Sequence, residues 1–598
     1  MAKKFIDVMD TSFRDGFQSV YGGRVLMNDF FPAVEAAKTA GITHFEFGGG
    51  ARFQSLYFYL REDAFEMMDK FREIVGPEAN LQTLARGVNT VMLDTGSKEL
   101  IDLHAKLFKK HGTTTIRNFD ALNDIENLKY SGERISHHGL KHEIVVTMMD
   151  LPPGCHGAHT VEFYEKTLRV ILDSGIPYDS ICFKDASGTS NPHKVYETIK
   201  MARGIVPEGT HLRLHTHETA GVSVSAYMAA LEAGIDGIDM AASPVSGGTS
   251  QPDILTMLHA TKGLDFDLGG LEIDKILTYE KELQNCLSDY FVPPEATMVS
   301  PIIPFSPMPG GALTANTQMM RDNGILDKFP DVIAAMQEVV EKGGYGTSVT
   351  PVSQFYFQQA LNNVMQGPWK AIAPGYGRMV LGYFGKTPVA PDPEIVKIAS
   401  EKLNLMPTTE KALDIANADY TKSLENWINK LKEEDLEITE ENIFIAAACQ
   451  EKGIAFLKGK GELNIRKISE MKTDCEGSES MGSGNYTVVV DGQKFSVQVA
   501  EGDANIQVTA VDGETVATTR APAAGSASDL DIKALLPGNV WKIIMNPGQS
   551  VNEGDVIMIL ESMKMEIDVV APKGGVVKSI NVATNDKVVE GQVVAVIG

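Results

Sequence analysis

The 598-residue chain holds only five cysteines: Cys155, Cys182, Cys286, Cys449 and Cys475. They are odd in number, and no two have zinc-finger or redox-pair spacing. That excludes a disulfide scaffold and fits a reducing compartment. Long apolar runs are also missing. None approaches the roughly 18 residues of a membrane span, and residues 1–10 lack the apolar centre of a secretion signal. The expectation is a cytoplasmic protein with no direct membrane insertion. Basic charge is scarce, with 54 Lys and Arg against 79 Asp and Glu, a net charge of −25. Nucleic-acid binders neutralise phosphates with a basic surface, so that class is excluded. A local basic pocket for one small anion is not. The rest is ordinary for a globular protein, 43% hydrophobic and 22% charged, and the length predicts about three to five domains.

Short apolar runs at 5–9, 43–47, 81–84, 115–119, 143–148, 180–183, 212–214 and 237–240 alternate with helical stretches. Apolar residues recur at helical spacing over 29–40, 99–110, 161–173 and 222–234. The repeat has the length of a βα unit, and eight of them predict an α/β fold, a (β/α)8 TIM barrel over residues 1–300. Residues 301–473 read as a helical extension with Gly/Pro breaks at 308–311 and 343–351. A small β segment follows at 485–516. Its hairpin signal at 486–499 surrounds Asp491-Gly492 and is the candidate docking or association element. Positions 517–529 (ATTRAPAAGSASD) read, from their composition, as a flexible linker. Residues 530–598 read as an all-β domain, with short β-branched runs punctuated by glycine.

Active sites of this fold lie at the C-terminal ends of the strands. There the sequence places Asp10, with Arg14 and Asp15 just beyond, then Glu46, Arg86, Asp120, Lys184, and His215 with His217. Residues i and i+2 of a strand face one side, so both imidazoles can converge on one divalent ion. Such a pair suits zinc or another transition metal, and Asp15 is a candidate carboxylate ligand. Lys184 leaves two alternatives open. It pairs with an acid such as Asp185, or it reacts with CO2 as a neutral amine and ligates the metal as N-carboxylysine. Burial and a nearby cation favour the neutral amine.

In the tail, Glu561-Ser562-Met563-Lys564-Met565-Glu566, with Leu536-Pro537-Gly538 before it and Ala571-Pro572 after it, resembles the attachment site of biotin carrier domains. The resemblance implies a flattened β-barrel biotinyl domain, biotin joined covalently to Lys564, and a biotin protein ligase that joins it. Upstream, the stretches 10–19 (DTSFRDGFQS), 86–89 (RGVN), 119–123 (FDALN), 184–188 (KDASG), 214–221 (LHTHETAG) and 246–252 (SGGTSQP) stand out. They are similar to the carboxyltransferase domain shared by pyruvate carboxylase, transcarboxylase and oxaloacetate decarboxylase alpha subunits. Met308-Pro309-Gly310-Gly311 and Val349-Thr350-Pro351 match the helical funnel of that family.

The family resemblance implies Asp15, His215, His217 and carboxylated Lys184 as ligands of a divalent metal, zinc first, with manganese or cobalt as alternatives. It implies Arg86 and Gln18, with Arg14 beside them, as contacts to a small 2-oxo acid, and Thr314 as the proton shuttle between biotin and substrate. Lys184, Thr314, Arg86 and Gln18 make up the expected catalytic set. The chain departs from the family at Gly16-Phe17, at Arg52-Phe53-Gln54 and at Leu93. The expected activity is that of the carboxyltransferase and carrier subunit of a two-subunit pyruvate carboxylase, moving CO2 from carboxybiotin to pyruvate to form oxaloacetate. One alternative is the alpha subunit of a sodium-pumping oxaloacetate decarboxylase. Another is carboxylation of 2-oxoglutarate, for which Arg52 is the candidate contact to a second carboxylate. The length leaves no room for an ATP-using half. A separate ATP-dependent biotin carboxylase subunit is therefore the expected partner, with homo-oligomer assembly through the barrel. Arg14-Asp15-Gly16 with the two histidines also resembles lyases and acyl-CoA condensing enzymes; Lys184 and the carrier tail argue against those.

Overall fold

A computed structural model describes residues 3–470, 484–490, 493–499, 530–534, 538–562, 565–584, 586–589 and 591–598. The chain divides into two compact units, Met1–Ile465 and Arg466–Gly598.

The first unit is built on eight parallel strands: β1 (Lys4–Asp10), β2 (His44–Gly49), β3 (Asn80–Ala85), β4 (Thr115–Asn118), β5 (Lys141–Thr147), β6 (Ser180–Asp185), β7 (His211–Thr216) and β8 (Gly237–Met240). They pair in sequence order. β1 closes the ring, pairing with β8 from Asp7↔Gly237 to Asp10↔Met240 and with β2 at Asp10↔Phe45. A ninth strand, β9 (Phe266–Leu268), lies against the start of β1. Each of the eight runs read from the sequence is a strand, within two residues at each end. The extensions matter most on β6 and β7. The ladder continues through Lys184↔His215 and Asp185↔Thr216, so the polar residues sit inside the strands. Backbone pairing is indifferent to side-chain polarity where neighbours on both sides supply the partners.

The helices between strands form the outer layer. Met27–Thr39, Lys98–Lys110, Val161–Asp173 and Ser223–Ala233 cover the four helical stretches expected. Their starts are fixed by side-chain caps where the sequence offers them: Ser97 accepts from Leu100 N, and Thr160 from Phe163 N. At the end of β2 the chain passes close to β3. Gly49 has φ +81, and a Cβ there would lie 2.4 Å from the Leu84 carbonyl oxygen, so only glycine fits.

Beyond the barrel the chain is helical, from Gly310–Asp322 to Glu440–Leu457. The last helix returns to the barrel wall, where Phe444 packs on Phe53 (ring centroids 5.5 Å apart) and Gln54 donates to the Ala448 carbonyl at 2.8 Å. The turn before Val352–Gln366 is tied to the strand ends. Thr347 donates its N–H to the Ala121 carbonyl at 2.8 Å, and its hydroxyl meets that of Thr147 at 2.8 Å. These bonds hold Val349 and Thr350 over the barrel mouth.

The second unit is β throughout its described strands. A hairpin of β10 (Gly484–Val490) and β11 (Gln493–Val499) pairs Val490 with Gln493. Two antiparallel four-stranded sheets follow. One orders β12 (Leu530–Lys533), β19 (Val593–Ile597), β17 (Gly575–Ile580) and β14 (Ser550–Val551). The other orders β16 (Met565–Val570), β15 (Val556–Ser562), β13 (Gly538–Ile543) and β18 (Lys587–Val588). Val540, Ile557, Leu560, Val577, Val594 and Ile597 on these strands are buried. β15 and β16 form a hairpin in which Ser562 pairs with Met565. Lys564, between those strands, lies outside the described residues, as does the linker 517–529. No helix among the described residues is long and apolar enough to cross a membrane.

Candidate active site

Asp15, on the helical turn Ser12–Gly16 after β1, meets both histidines of β7 at the barrel mouth. Its Oδ2 lies 3.2 Å from His215 Nε2 and 3.3 Å from His217 Nε2, and the two Nε2 atoms are 3.1 Å apart. All three side chains are buried. The far side of each ring is engaged. His217 Nδ1 contacts the Thr249 carbonyl at 2.7 Å, and His215 Nδ1 contacts Asp239 Oδ2 at 2.8 Å. A carbonyl or carboxylate oxygen only accepts, so each Nδ1 carries the hydrogen and each Nε2 presents a lone pair. Two lone pairs and an anionic oxygen therefore converge on one point. Gln251 Nε2 donates to Asp15 Oδ2 and to His217 Nε2, both at 3.0 Å, which relieves part of this repulsion. The donor set fits a divalent cation: two imidazole nitrogens and one carboxylate, each held by a partner behind it.

Burial by itself would raise the Asp15 pKa. The Arg14 charge outweighs it and holds the carboxyl well below the usual range. Lys184 Nζ lies 3.9 Å from Asp15 Oδ2. Burial lowers the Lys184 pKa, with the charges of Arg117 and Arg14 acting in the same sense against Asp15. The alternative partner, Asp185, is committed elsewhere: it accepts from Ser187 Oγ at 2.7 Å, Gly188 N at 2.9 Å and Ser190 N at 2.6 Å. Lys184 therefore faces the Asp15 group, not Asp185.

Beside this cluster is a narrow cavity of about 30 Å³, lined by Arg14, Gln18, Arg86 and Lys184, with Leu84 and Phe119 among its apolar walls. Arg14 is braced by Glu46 Oε1 at 2.6 Å and Asp15 Oδ1 at 3.1 Å. Arg86 fixes one nitrogen on the Val91 and Met92 carbonyls, at 2.5 and 3.1 Å, while its buried Nε has no hydrogen-bond partner. Burial, then the neighbouring Arg14 charge, lowers the Arg86 pKa to about 9. Gln18 Oε1 lies 3.4 Å from Arg14 NH1.

Other expected residues stand apart from this cavity. Thr314, in the first turns of Gly310–Asp322, is fully buried. Its hydroxyl donates to Thr249 Oγ1 at 3.3 Å, and the cavity is lined instead by Gly311 and Ala312. Arg52 corrects an expectation outright. It is buried away from the cavity and donates to the carbonyls of Gly23 and Val25, the latter at 2.8 Å, so it offers nothing to a second carboxylate. Phe17 packs on Phe30 (5.1 Å between centroids), while Leu93 is exposed. Asp10 and Asp120 serve the backbone. Asp10 accepts from Ser12 N and the Tyr279 hydroxyl, and Asp120 from the amides of Leu122 and Asp124.

Among the residues that contact the metal-type cluster, Asp239 and Arg117 escaped the sequence reading, and Gln251 and Thr249 entered it only within the stretch 246–252, without a role. A signal for Asp239 existed: it is a charge in a strand, Gly237–Met240, whose other residues are Gly, Ile and Met.

A closed eight-stranded parallel barrel with a buried donor set at its mouth, carried on one chain with a small all-β unit, defines the class as an enzyme-type barrel joined to a separate β domain. Comparisons narrow the class. A family model described as "Conserved carboxylase domain" matches residues 303–506, and one described as "Biotin-requiring enzyme" matches 531–597. A pyruvate carboxylase subunit of Methanothermobacter thermautotrophicus is 30% identical over 576 residues, 94% of each chain. The 2-oxoglutarate carboxylase large subunit of Hydrogenobacter thermophilus is 28% identical over 615 residues, 95% of this chain and 91% of that one. The carboxyl transferase domain of Rhizobium etli pyruvate carboxylase, solved with pyruvate and biocytin, superposes with a TM-score of 0.69 at 22% identity, covering 83% of this chain and 84% of that one. The chain belongs to the biotin-dependent carboxyltransferase family, and it is an enzyme.

Proposed function

We propose that this protein is the carboxyltransferase and carrier subunit of a two-subunit pyruvate carboxylase. Its biotin is carried on Lys564, and a separate ATP-dependent biotin carboxylase loads the carboxyl group. The observation that supports the substrate best is the cavity itself. It is narrow, and it sets the unpartnered Nε of Arg86 beside Lys184 and the Asp15–His215–His217 cluster. Arg14 lines the same cavity but its charge is already paired with Glu46 and Asp15, which leaves Arg86 as the unpaired guanidinium for one carboxylate. With Arg52 turned to backbone carbonyls, 2-oxoglutarate finds no second contact there.

In this reading Asp15, His215 and His217 hold a divalent ion, zinc by preference for two imidazoles, with manganese or cobalt as alternatives. Lys184, whose pKa burial lowers, gives up its proton and takes up CO2 on Nζ with loss of a second proton, and its new carboxylate completes the ligand set. When bound, the ion supplies Lewis-acid polarisation of the 2-oxo group. Arg86 binds the substrate carboxylate. Arg14, its charge balanced by Glu46 and Asp15, lines the cavity beside the substrate as a hydrogen-bond donor, and Gln18 orients the substrate. Leu84 and Phe119 exclude water. The methyl group of pyruvate gives up a proton as its carbon takes the carboxyl group, and the Thr314 hydroxyl relays that proton toward the carrier. Thr314 lies one helical turn behind Gly311, so the relay requires the start of that helix to open.

The test is isotope exchange. Purified, biotinylated full-length protein loaded with zinc should move label from pyruvate into oxaloacetate without ATP, and 2-oxoglutarate should not compete. Absence of exchange in a protein shown to carry biotin and metal overturns the reading.

A further inference from the structure

Barrel interiors are normally filled by branched apolar side chains, yet this one carries a ladder of buried charges. Arg213 on β7 reaches Asp7 on β1 and donates to Asp239 Oδ1 on β8 at 3.0 Å. Arg117 on β4 donates to Asp239 Oδ2 at 2.5 Å and to Glu143 Oε1 on β5 at 2.5 Å. Gln82 Nε2 adds a bond to the same Glu143 oxygen at 2.9 Å. Arg117, Arg213 and Asp239 are 0% exposed. A buried ionic network of this kind gains little stability over well-packed apolar residues, so its place in the barrel calls for another reason. One end supplies it, because Asp239 Oδ2 also accepts from His215 Nδ1 at 2.8 Å.

We infer that Asp239, braced by Arg117 and Arg213, is a positioning residue that fixes His215 with its Nε2 lone pair facing Asp15 and His217. At 2.8 Å a carboxylate oxygen and a ring nitrogen need a hydrogen between them. Asp239 already accepts from two guanidiniums, so that hydrogen belongs to Nδ1. Arg117 NH1 also lies 3.3 Å from Nδ1, but its nearer acceptor is Asp239 Oδ2. The main chain of Asp239 is held as well, its carbonyl accepting from the Tyr227 hydroxyl. Side chain and backbone are thus both anchored, and His215 inherits their orientation. Without Asp239 the imidazole is free to carry its hydrogen on Nε2, which puts a donor where a ligand lone pair is needed. This deepens the metal-site reading above and rests on it.

The experiment is zinc affinity by chelator competition on the full chain, for wild type, Asp239→Asn, His215→Ala and the double variant. Asp239→Asn is expected to bind zinc about 10–100-fold more weakly, with no further loss when added to His215→Ala. Unchanged affinity in Asp239→Asn, or an equal loss in the His215→Ala background, overturns the inference. A wild type that binds no zinc sinks the metal-site reading instead. Should Asp239→Asn not fold, metal-stripped wild type labelled with 15N-histidine decides. His215, identified by the signals missing from His215→Ala, should show a protonated Nδ1 and an unprotonated Nε2; the opposite tautomer overturns the inference.

Discussion

Arg86 stands at the cavity with one nitrogen fixed on two carbonyls and a buried Nε that no protein group satisfies. A substrate carboxylate would complete it. A hydrogen bond to a charged group contributes about 1.5–3 kcal/mol, so Arg86→Gln should raise KM for pyruvate about 10–150-fold with a smaller change in kcat. Steady-state exchange kinetics check this, and an unchanged KM removes Arg86 from substrate binding. The residues that meet here were readable to unequal degrees. Asp15, Lys184, His215 and His217 stand at strand ends, where the fold predicts chemistry. The i, i+2 spacing alone puts both imidazoles on one side. Asp239 acts on His215 from another strand, 24 positions further on, and no local pattern announces that partnership. Arg52 misled because it is a charged departure from the family pattern, in a stretch that the resemblance places beside the substrate. Only the folded chain brings the Gly23 and Val25 carbonyls to it.

At the scale of elements, the mouth depends on how closely Gly310–Asp322 approaches the loop after β8. A Cβ on Gly310 would lie 1.6 Å from the Thr249 carbonyl oxygen, which is the acceptor of His217 Nδ1, and 3.0 Å from that nitrogen. Gly310→Ala should therefore push the helix start outward and loosen His217. Overpacking of this kind costs about 1–3 kcal/mol, and losing the bond behind a metal ligand weakens metal binding about 10–100-fold. Thermal unfolding and zinc competition on the same samples check both. A second element-scale prediction concerns Glu280 on the helix Ile273–Leu287. Burial first, then the charge of Asp253, raises its pKa from 4.5 to about 8. The folded state therefore keeps a proton that the unfolded chain releases. The stability this gives is complete below about pH 4.5 and is lost as pH rises through about 8. Glu280→Gln mimics the protonated form, so its unfolding midpoint should fall less than that of wild type between about pH 5 and 9. Equal pH profiles would refute the assignment. The strands themselves were readable because those of a parallel barrel are covered on both faces and read as plain apolar runs. The turn Ser12–Gly16, which delivers Asp15, was not, since its aromatic and charged residues follow no periodic pattern.

At the scale of the whole molecule, the proposed anion site belongs to a chain of net charge −25. Arg14 is neutralised by Glu46 and Asp15, and Arg86 is sunk in a narrow cavity, so the attractive field is confined to the mouth. The chain divides the work between two compact units, and a tethered carrier acts at an effective concentration of the order of millimolar. This separates two roles that one substitution can distinguish. Lys564→Ala should remove the mass increment of one biotinyl group and abolish label exchange between pyruvate and oxaloacetate, while zinc content stays at the wild-type level because the residues proposed to hold the ion, Asp15, Lys184, His215 and His217, all belong to the first unit. Free biotin should restore slow exchange only as it approaches millimolar concentrations, since it must replace a tethered reactant by mass action. Intact mass spectrometry, metal analysis and the exchange assay on one preparation measure all three. Full exchange in Lys564→Ala without added biotin would show that the carboxyl group reaches the barrel without this carrier. Loss of zinc in the same variant would show that the two units are not independent.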